Sequence, residues 1–259
     1  MTLEGAKEII LVAQETTLYG VDLYGEKSLH KLLRALSKLE GLEWIRILYC
    51  YPEEIELPLI EEIRDNPKVC HYLDLPIQHS SNRILKAMNR KTRREELQEK
   101  IALLRKEIPD ICLRTTLITG FPGETEEDVE DLLSFLTEER FDRLGVFPYS
   151  REEGTKAALM ENQLPESIKN KRLSRLMDLQ QEIAFQKADA QIGRVLKALV
   201  IGYDEEEKRV VLRTYMDSPE IDSFIYVSGE RKENGTFLSV KVVSTEGYDL
   251  IGEYSESSQ

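Results

Sequence analysis

Gln78, His79 and Ser80 form a polar turn between the apolar run Leu73 to Ile77 and a helix-like segment opened by Ser81. Similar polar positions follow every other apolar run of strand length: Gln14 and Thr16, then Tyr49 and Tyr51, then Thr119 to Glu124, then Tyr149, Ser150 and Arg151. If the strands lie parallel, these ends converge over one mouth, where a barrel of alternating strands and helices keeps its chemistry. The set forms a hydrogen-bonding rim with aromatic walls. It contains neither a pair of catalytic carboxylates nor a nucleophile–base couple. Such a mouth suits a nucleoside-like cofactor that brings its own chemistry while the protein positions it.

Single residues in this set carry two readings each. The Gly120 loop either shapes a strand-to-helix turn or lets backbone approach a ligand beside a helix N-terminus. His79, at a strand end, outranks His30, which lies on a helix, although a lone histidine more often orients neighbours than catalyses. The run Asp204 to Glu207 reads as a solvated turn rather than a cation site. Cys50, Cys70 and Cys112 fall outside metal-motif spacing, and three is a poor count for a disulfide framework, so buried free thiols are expected.

The elements that must position the rim follow from apolar periodicity. Strands are expected at Lys7 to Gln14, Trp44 to Tyr49, Val69 to Leu75, Cys112 to Thr119 and Arg143 to Phe147. The fourth reads as continuously apolar, as a parallel strand covered on both faces should. Helices are expected after Ser28, over Leu57 to Arg64, from Ser81, over Arg93 to Lys106, and after Thr125, whose capping box uses Asp128. Five strand–loop–helix units in a row predict a parallel, barrel-like sheet. Pro165 to Ala190 then reads as one long helix with Ile168, Leu173, Leu176, Leu179 and Ile183 as its stripe. Beyond Gly193, short segments at Val195 to Ile201, Val210 to Thr214, Ile225 to Val227 and Phe237 to Val243 predict a small all-β barrel.

A length of 259 residues allows one large domain, or one plus a small one. The net charge of −13 disfavours wide contact with nucleic acid, which needs basic patches, and suits a basic protein partner. No apolar run is long enough to span a bilayer. Met1 to Glu8 carries no signal-peptide pattern, so a cytoplasmic location is the expectation.

Four motifs in order carry a resemblance. Ala13 to Tyr24 (AQETTLYGVDLY), Leu75 to Ser81 (LPIQHSS) with Met88-Asn89-Arg90, Ile118 to Thr125 (ITGFPGET) and Tyr149 to Thr155 (YSREEGT) resemble the strand-end motifs of the radical S-adenosylmethionine methylthiotransferases. Gln14 to Thr17, Tyr49 to Pro52 and Gln78 to Ser80 are similar to the branch of that family acting on a ribosomal protein. The tRNA branch carries other residues there. Arg213 to Asp222 again resembles the ribosomal branch. The terminal β segment resembles a TRAM domain, a fold often used on RNA. Between Gln191 and Tyr254, eight Lys or Arg stand against twelve Asp or Glu, a net of −4 that suits a basic protein better than phosphate.

The resemblance implies an α/β fold: an incomplete radical-SAM (βα) barrel over 1–190, a TRAM barrel over 191–254, and a frayed polar tail over 255–259. It implies methylthiolation of the β-carbon of an aspartate in small-subunit ribosomal protein twelve. A 5′-deoxyadenosyl radical would abstract the hydrogen. A tRNA methylthiotransferase, or a non-catalytic module that binds ribosomal protein or RNA, is the alternative. Its cofactors would be S-adenosylmethionine and [4Fe-4S] clusters. The family's cluster cysteines, in a Cys-x-x-x-Cys-x-x-Cys loop after the first strand and in an N-terminal domain, are absent from this sequence. The chain therefore looks like the carboxy-terminal part of such an enzyme, and is expected to be incompetent alone. Carried over by position, Gln14, Gln78, Arg114, Ile118 and Gly120 would line the S-adenosylmethionine pocket, with Tyr149 near the adenine. Arg114 lies mid-strand. It would pair with the methionyl carboxylate or else form a structural ion pair.

Overall fold

A computed structural model describes residues 5–255. Five strands, β1 (Glu8–Leu11), β2 (Trp44–Ile47), β3 (Val69–Gln78), β4 (Cys112–Thr119) and β5 (Arg143–Pro148), pair in chain order and all in parallel. Each crossover contains a helix, as parallel neighbours require. These are α1 (Val21–Tyr24) with α2 (Leu29–Leu36), α3 (Leu57–Asp65), α4 (Asn82–Ala87) with α5 (Arg94–Glu107), and α6 (Glu126–Glu139). The sheet stays open, with β1 and β5 as its edges.

Parity along the strands sends Ile45, Ile47, Leu73, Leu75, Leu113 and Leu117 into one core with the helices. Each such side chain contributes about 1.5–3 kcal/mol when fully buried. The alternate residues Trp44, Leu48, Cys70, Tyr72 and Cys112 form a second core with the small barrel. That barrel closes in the order β10-β8-β7-β6-β9, from β6 (Val195–Asp204), β7 (Arg209–Thr214), β8 (Ile225–Ser228), β9 (Phe237–Glu246) and β10 (Asp249–Tyr254). β10 lies outside the four segments predicted from periodicity. Its Gly252 interrupts the pattern because closure leaves no room there: a Cβ would collide with Val240 Cγ1.

Two expectations need correcting. β4 alternates between buried and half-buried residues rather than being covered on both faces. Only its lower end, Cys112, reaches the second core; Ile118 packs instead with Phe121 and Tyr149. Helix α7 (Glu166–Asp189) buries Lys169, Arg172, Leu176, Gln180 and Ile183, while Ile168 of the predicted stripe is exposed. The first two of these buried polar side chains hold the mouth, as described below.

A segment of the small barrel between β7 and β8 plugs the lower inner face of the sheet. Arg46, fully buried, donates from Nε to Glu8 at 2.8 Å and from Nη1 to the Tyr215 carbonyl at 2.7 Å. Glu8 also pairs with Arg213. Arg143 pairs with Asp217, and Arg114 with Asp222, each at 2.7 Å. The tail expected to fray lies, from 256 on, outside the described residues. Among the described residues no helix is long and apolar enough to cross a membrane.

Candidate functional site

The turn after β3 is built by an irregularity in the strand. Leu75 is in register with Thr115 but Gln78 with Leu117, so β3 spends one extra residue at Pro76-Ile77. The Thr115 hydroxyl serves this bulge, donating to the Leu75 carbonyl at 2.6 Å and accepting the Ile77 N–H at 3.5 Å. Gln78 then adopts φ 71°, a conformation that costs a non-glycine residue about 1–3 kcal/mol. Its Oε1 is buried with no hydrogen-bond partner.

His79 follows, fully buried. Its Nδ1 accepts the Ser81 N–H at 2.9 Å, which leaves the ring proton on Nε2, 3.3 Å from Glu124 Oε1. Glu124 Oε2 accepts the Gly120 N–H at 2.8 Å and a hydrogen bond from Arg172 Nη1 at 2.6 Å. His79, Glu124 and Arg172 therefore lock the β3 and β4 loops to α7. His79 is a positioning residue. Ser81 does not cap α4 through its side chain; its hydroxyl donates to Asp128 at 2.8 Å, while Ser80 donates to Asp131 at 3.1 Å. Both serines tie the turn to α6.

Gly120 has φ 75°, and a Cβ there would collide with the Lys169 side chain. The close approach is thus made by Lys169, whose Nζ donates to the Tyr149 carbonyl at 2.7 Å. Tyr149 packs its ring edge-on against Phe121, in a satellite cluster that Ile118 joins. Its hydroxyl is buried without a partner. Gln14 is exposed beyond β1. Glu15 ties that loop to the next by accepting the N–H groups of Thr17 and Tyr51, both at 2.9 Å, and burial raises its carboxyl above the usual range. Gln14, Gln78, Gly120 and Tyr149 thus share one end of the sheet: Gln78 ends β3, and the others follow β1, β4 and β5. Arg114 sits lower, paired with Asp222 and 3.7 Å from Asp74.

Sequence reasoning passed over Asp74, Lys169 and Arg172. The signal for Asp74 was a lone carboxylate inside an apolar strand. For the other two it was distance: each acts on residues about twenty to fifty positions away.

Residues 2–136 match the family model of the radical SAM superfamily. The chain belongs to the radical SAM superfamily. Residues 192–254 match the model of the TRAM domain, and they contain the closed barrel. Among curated proteins the radical SAM chain is 55% identical, over 249 residues, to "Ribosomal protein uS12 methylthiotransferase RimO" of Lachnoclostridium phytofermentans. That match covers 96% of this chain and 57% of the relative. Proteins of the same name from Clostridium botulinum and Clostridium perfringens are 53% and 50% identical, over 99% and 96% of this chain and 58% and 55% of their own lengths. The chain thus spans a little over half the length of these relatives. Among solved structures, coproporphyrinogen III oxidase (HemN) from Escherichia coli superposes with a TM-score of 0.50 at 21% identity, covering 61% of this chain and 37% of that one. That likeness concerns the fold.

The superfamily implies S-adenosylmethionine and an iron–sulfur cluster, and the residues present fit the two differently. Unpartnered buried oxygens on Gln78 and Tyr149, at the mouth, fit a polar organic ligand. The cysteines do not fit a cluster. Cys50 lies in the helix-side core, Cys70 and Cys112 in the other, and no group of three metal-ligating side chains exists among the described residues.

Proposed function

We propose that this chain serves the methylthiolation of ribosomal protein uS12 at an aspartate β-carbon, with S-adenosylmethionine held at the mouth of the parallel sheet. The observation that carries this reading is the 55% identity along 96% of the chain to a protein named for that reaction. Gln14, Gln78, Ile118 and Gly120 would hold S-adenosylmethionine, with Tyr149 beside the adenine. Arg114 is the candidate partner for the methionyl carboxylate, which would share its guanidinium with Asp222. When bound beside a one-electron reductant, which the cysteines of this chain do not hold, S-adenosylmethionine would supply the radical that opens the C–H bond. The protein's own residues orient and exclude water. Gln78 offers an amide oxygen fixed by its left-handed backbone, and the His79–Glu124–Arg172 lock keeps the Gly120 turn in place.

The small barrel's net charge of −4 supports a basic protein partner over tRNA, whose phosphates call for a basic surface. Capture on immobilised chain of purified uS12 and of bulk tRNA, at matched ionic strength, tests this. Retention of uS12, weakened by reversing the exposed charges Glu205, Glu206 and Glu207, is expected. Preferential retention of tRNA overturns the reading.

A further inference from the structure

β5 is an open edge of the parallel sheet: β4 pairs with it on one side, and among the described residues no strand pairs with it on the other. Such an edge presents main-chain N–H and C=O groups that a second extended chain can pair with. A cleft of about 600 Å³ lies along the first half of this edge, a volume within the usual range of ligand sites. Its walls include Leu144 and Gly145 of β5, Met177 of α7, and Ile221 and Phe224 of the small barrel. The barrel and α7 therefore flank the edge without pairing with it, which leaves a slot between them.

The charged side chains that line the cleft are neutralised, with one exception. Arg114 pairs with Asp222, Arg143 with Asp217, and Asp142 with Lys187. Asp249, the first residue of β10, lines the cleft and accepts the Phe224 N–H at 2.8 Å, but has no cationic partner among the described residues. It is half-buried, and that burial raises its carboxyl above the usual range. Charge complementarity therefore calls for an occupant that brings a cation. The cleft is also lined by Gln180, only 3% exposed, whose Nε2 donates to the Phe141 carbonyl at 3.1 Å while its Oε1 has no partner. Arg143 Nε likewise has none. An unserved acceptor and an unserved donor match the N–H and C=O of a peptide unit. At the rim, Ile221 is 54% exposed and offers apolar contact.

We infer that this cleft seats an extended segment of the protein substrate, which pairs main chain to main chain along β5 and sets a basic side chain against Asp249. The inference rests on the protein-substrate reading above and gives that substrate a binding mode. An added strand takes affinity from main-chain hydrogen bonds and specificity from the side-chain contacts beside them. β5 runs from Arg143, in the cleft, to Pro148, and Tyr149 follows at the mouth. Its six residues span about 20 Å. A segment paired along β5 thus enters at the cleft and delivers the residues beyond it to the mouth.

The test is amide hydrogen exchange of the full chain, alone and with purified uS12, together with the affinity of uS12 for immobilised chain. uS12 should slow exchange about tenfold or more at the β5 amides directed away from β4, and leave β1, the opposite edge, unchanged. Asp249→Asn keeps an acceptor for the Phe224 N–H but removes the charge, and should weaken uS12 binding about tenfold, the loss of one charged partner. Ile221→Lys is the second variant, at an exposed position where the chain stays folded. Its cation would meet the need of Asp249 from within, and uS12 should bind severalfold more weakly. Retention of uS12 with β5 exchange unchanged, or with both variants binding like the parent, sinks this inference alone. Protection of β5 by S-adenosylmethionine without uS12 also overturns it, because the cleft would then belong to the cofactor. Failure of the parent chain to retain uS12 sinks this inference and the reading beneath it together.

Discussion

Asp222 of the small barrel accepts a hydrogen bond from Nη1 of Arg114 on β4 at 2.7 Å, and a second from the Tyr72 hydroxyl on β3 at 2.7 Å. The side chain proposed to meet a cofactor carboxylate is thus already held by a carboxylate from the other domain. Asp222→Ala leaves a mostly buried guanidinium without its main partner. It should lower stability by about 3–5 kcal/mol, the usual effect of breaking one side of a buried pair. Denaturant unfolding measures this. Arg114→Met combined with Asp222→Leu should cost much less than the single change, because no charge is left unpaired.

The lock behind the mouth makes a similar demand. Glu124 is fully enclosed and serves Arg172, the Gly120 N–H and His79 at once. Glu124→Ala is expected to destabilise by about 3–5 kcal/mol. It should also broaden the Gly120 and Ser81 amide resonances. His79→Gln, which can still reach Glu124, should cost less. A catalytic His79 would instead show its effect on turnover with stability unchanged.

Thiol chemistry separates core cysteines from ligands. Burial raises all three thiols, with Cys70 pushed up to about 12. Thiolate is the reactive and iron-binding form, so a disulfide reagent at neutral pH should label none in the native chain and all three in denaturant. Anaerobic reconstitution with iron and sulfide should leave far less than four irons per chain. Stoichiometric four-iron binding would refute the placement of these cysteines as core.

Burial holds the Asp74 carboxyl above its ordinary value of 3.8, against the opposing pull of Arg114 and the Tyr49 N–H. The folded chain therefore binds that proton more tightly than the unfolded one. Its contribution to stability is complete below the ordinary value and is lost as pH rises through the raised one. Asp74→Asn removes this loss. Unfolding free energies of parent and variant, compared from about pH 4 to 7, should diverge in the variant's favour as pH rises. A constant difference would contradict the burial argument.

The order of strands and helices was legible because it rests on local signals: apolar runs of strand length, and the capping box in which Thr125 and Asp128 bond reciprocally. The mouth was legible to the same extent, since strand ends are fixed by those runs. What escaped depends on partners far along the chain. Ser81 reads as a cap, but its hydroxyl goes to Asp128, 47 residues later. Gly120 carries two readings, a turn or a close ligand approach, and Lys169 of α7 packs where its Cβ would stand. Arg172 carries no local signal: its buried place depends on Glu124, 48 residues away. β10 escaped because Gly252, needed where Val240 crowds the closing barrel, breaks its period.

We propose that the mouth holds S-adenosylmethionine through the ends of β1, β3 and β4. Amide mapping of the chain titrated with S-adenosylmethionine tests it most directly. Shifts concentrated at Gln14, Gln78 and Gly120, and reduced severalfold by Gln78→Ala, are expected. Saturable binding that leaves those three amides unmoved, or that Gln78→Ala does not weaken, would contradict it.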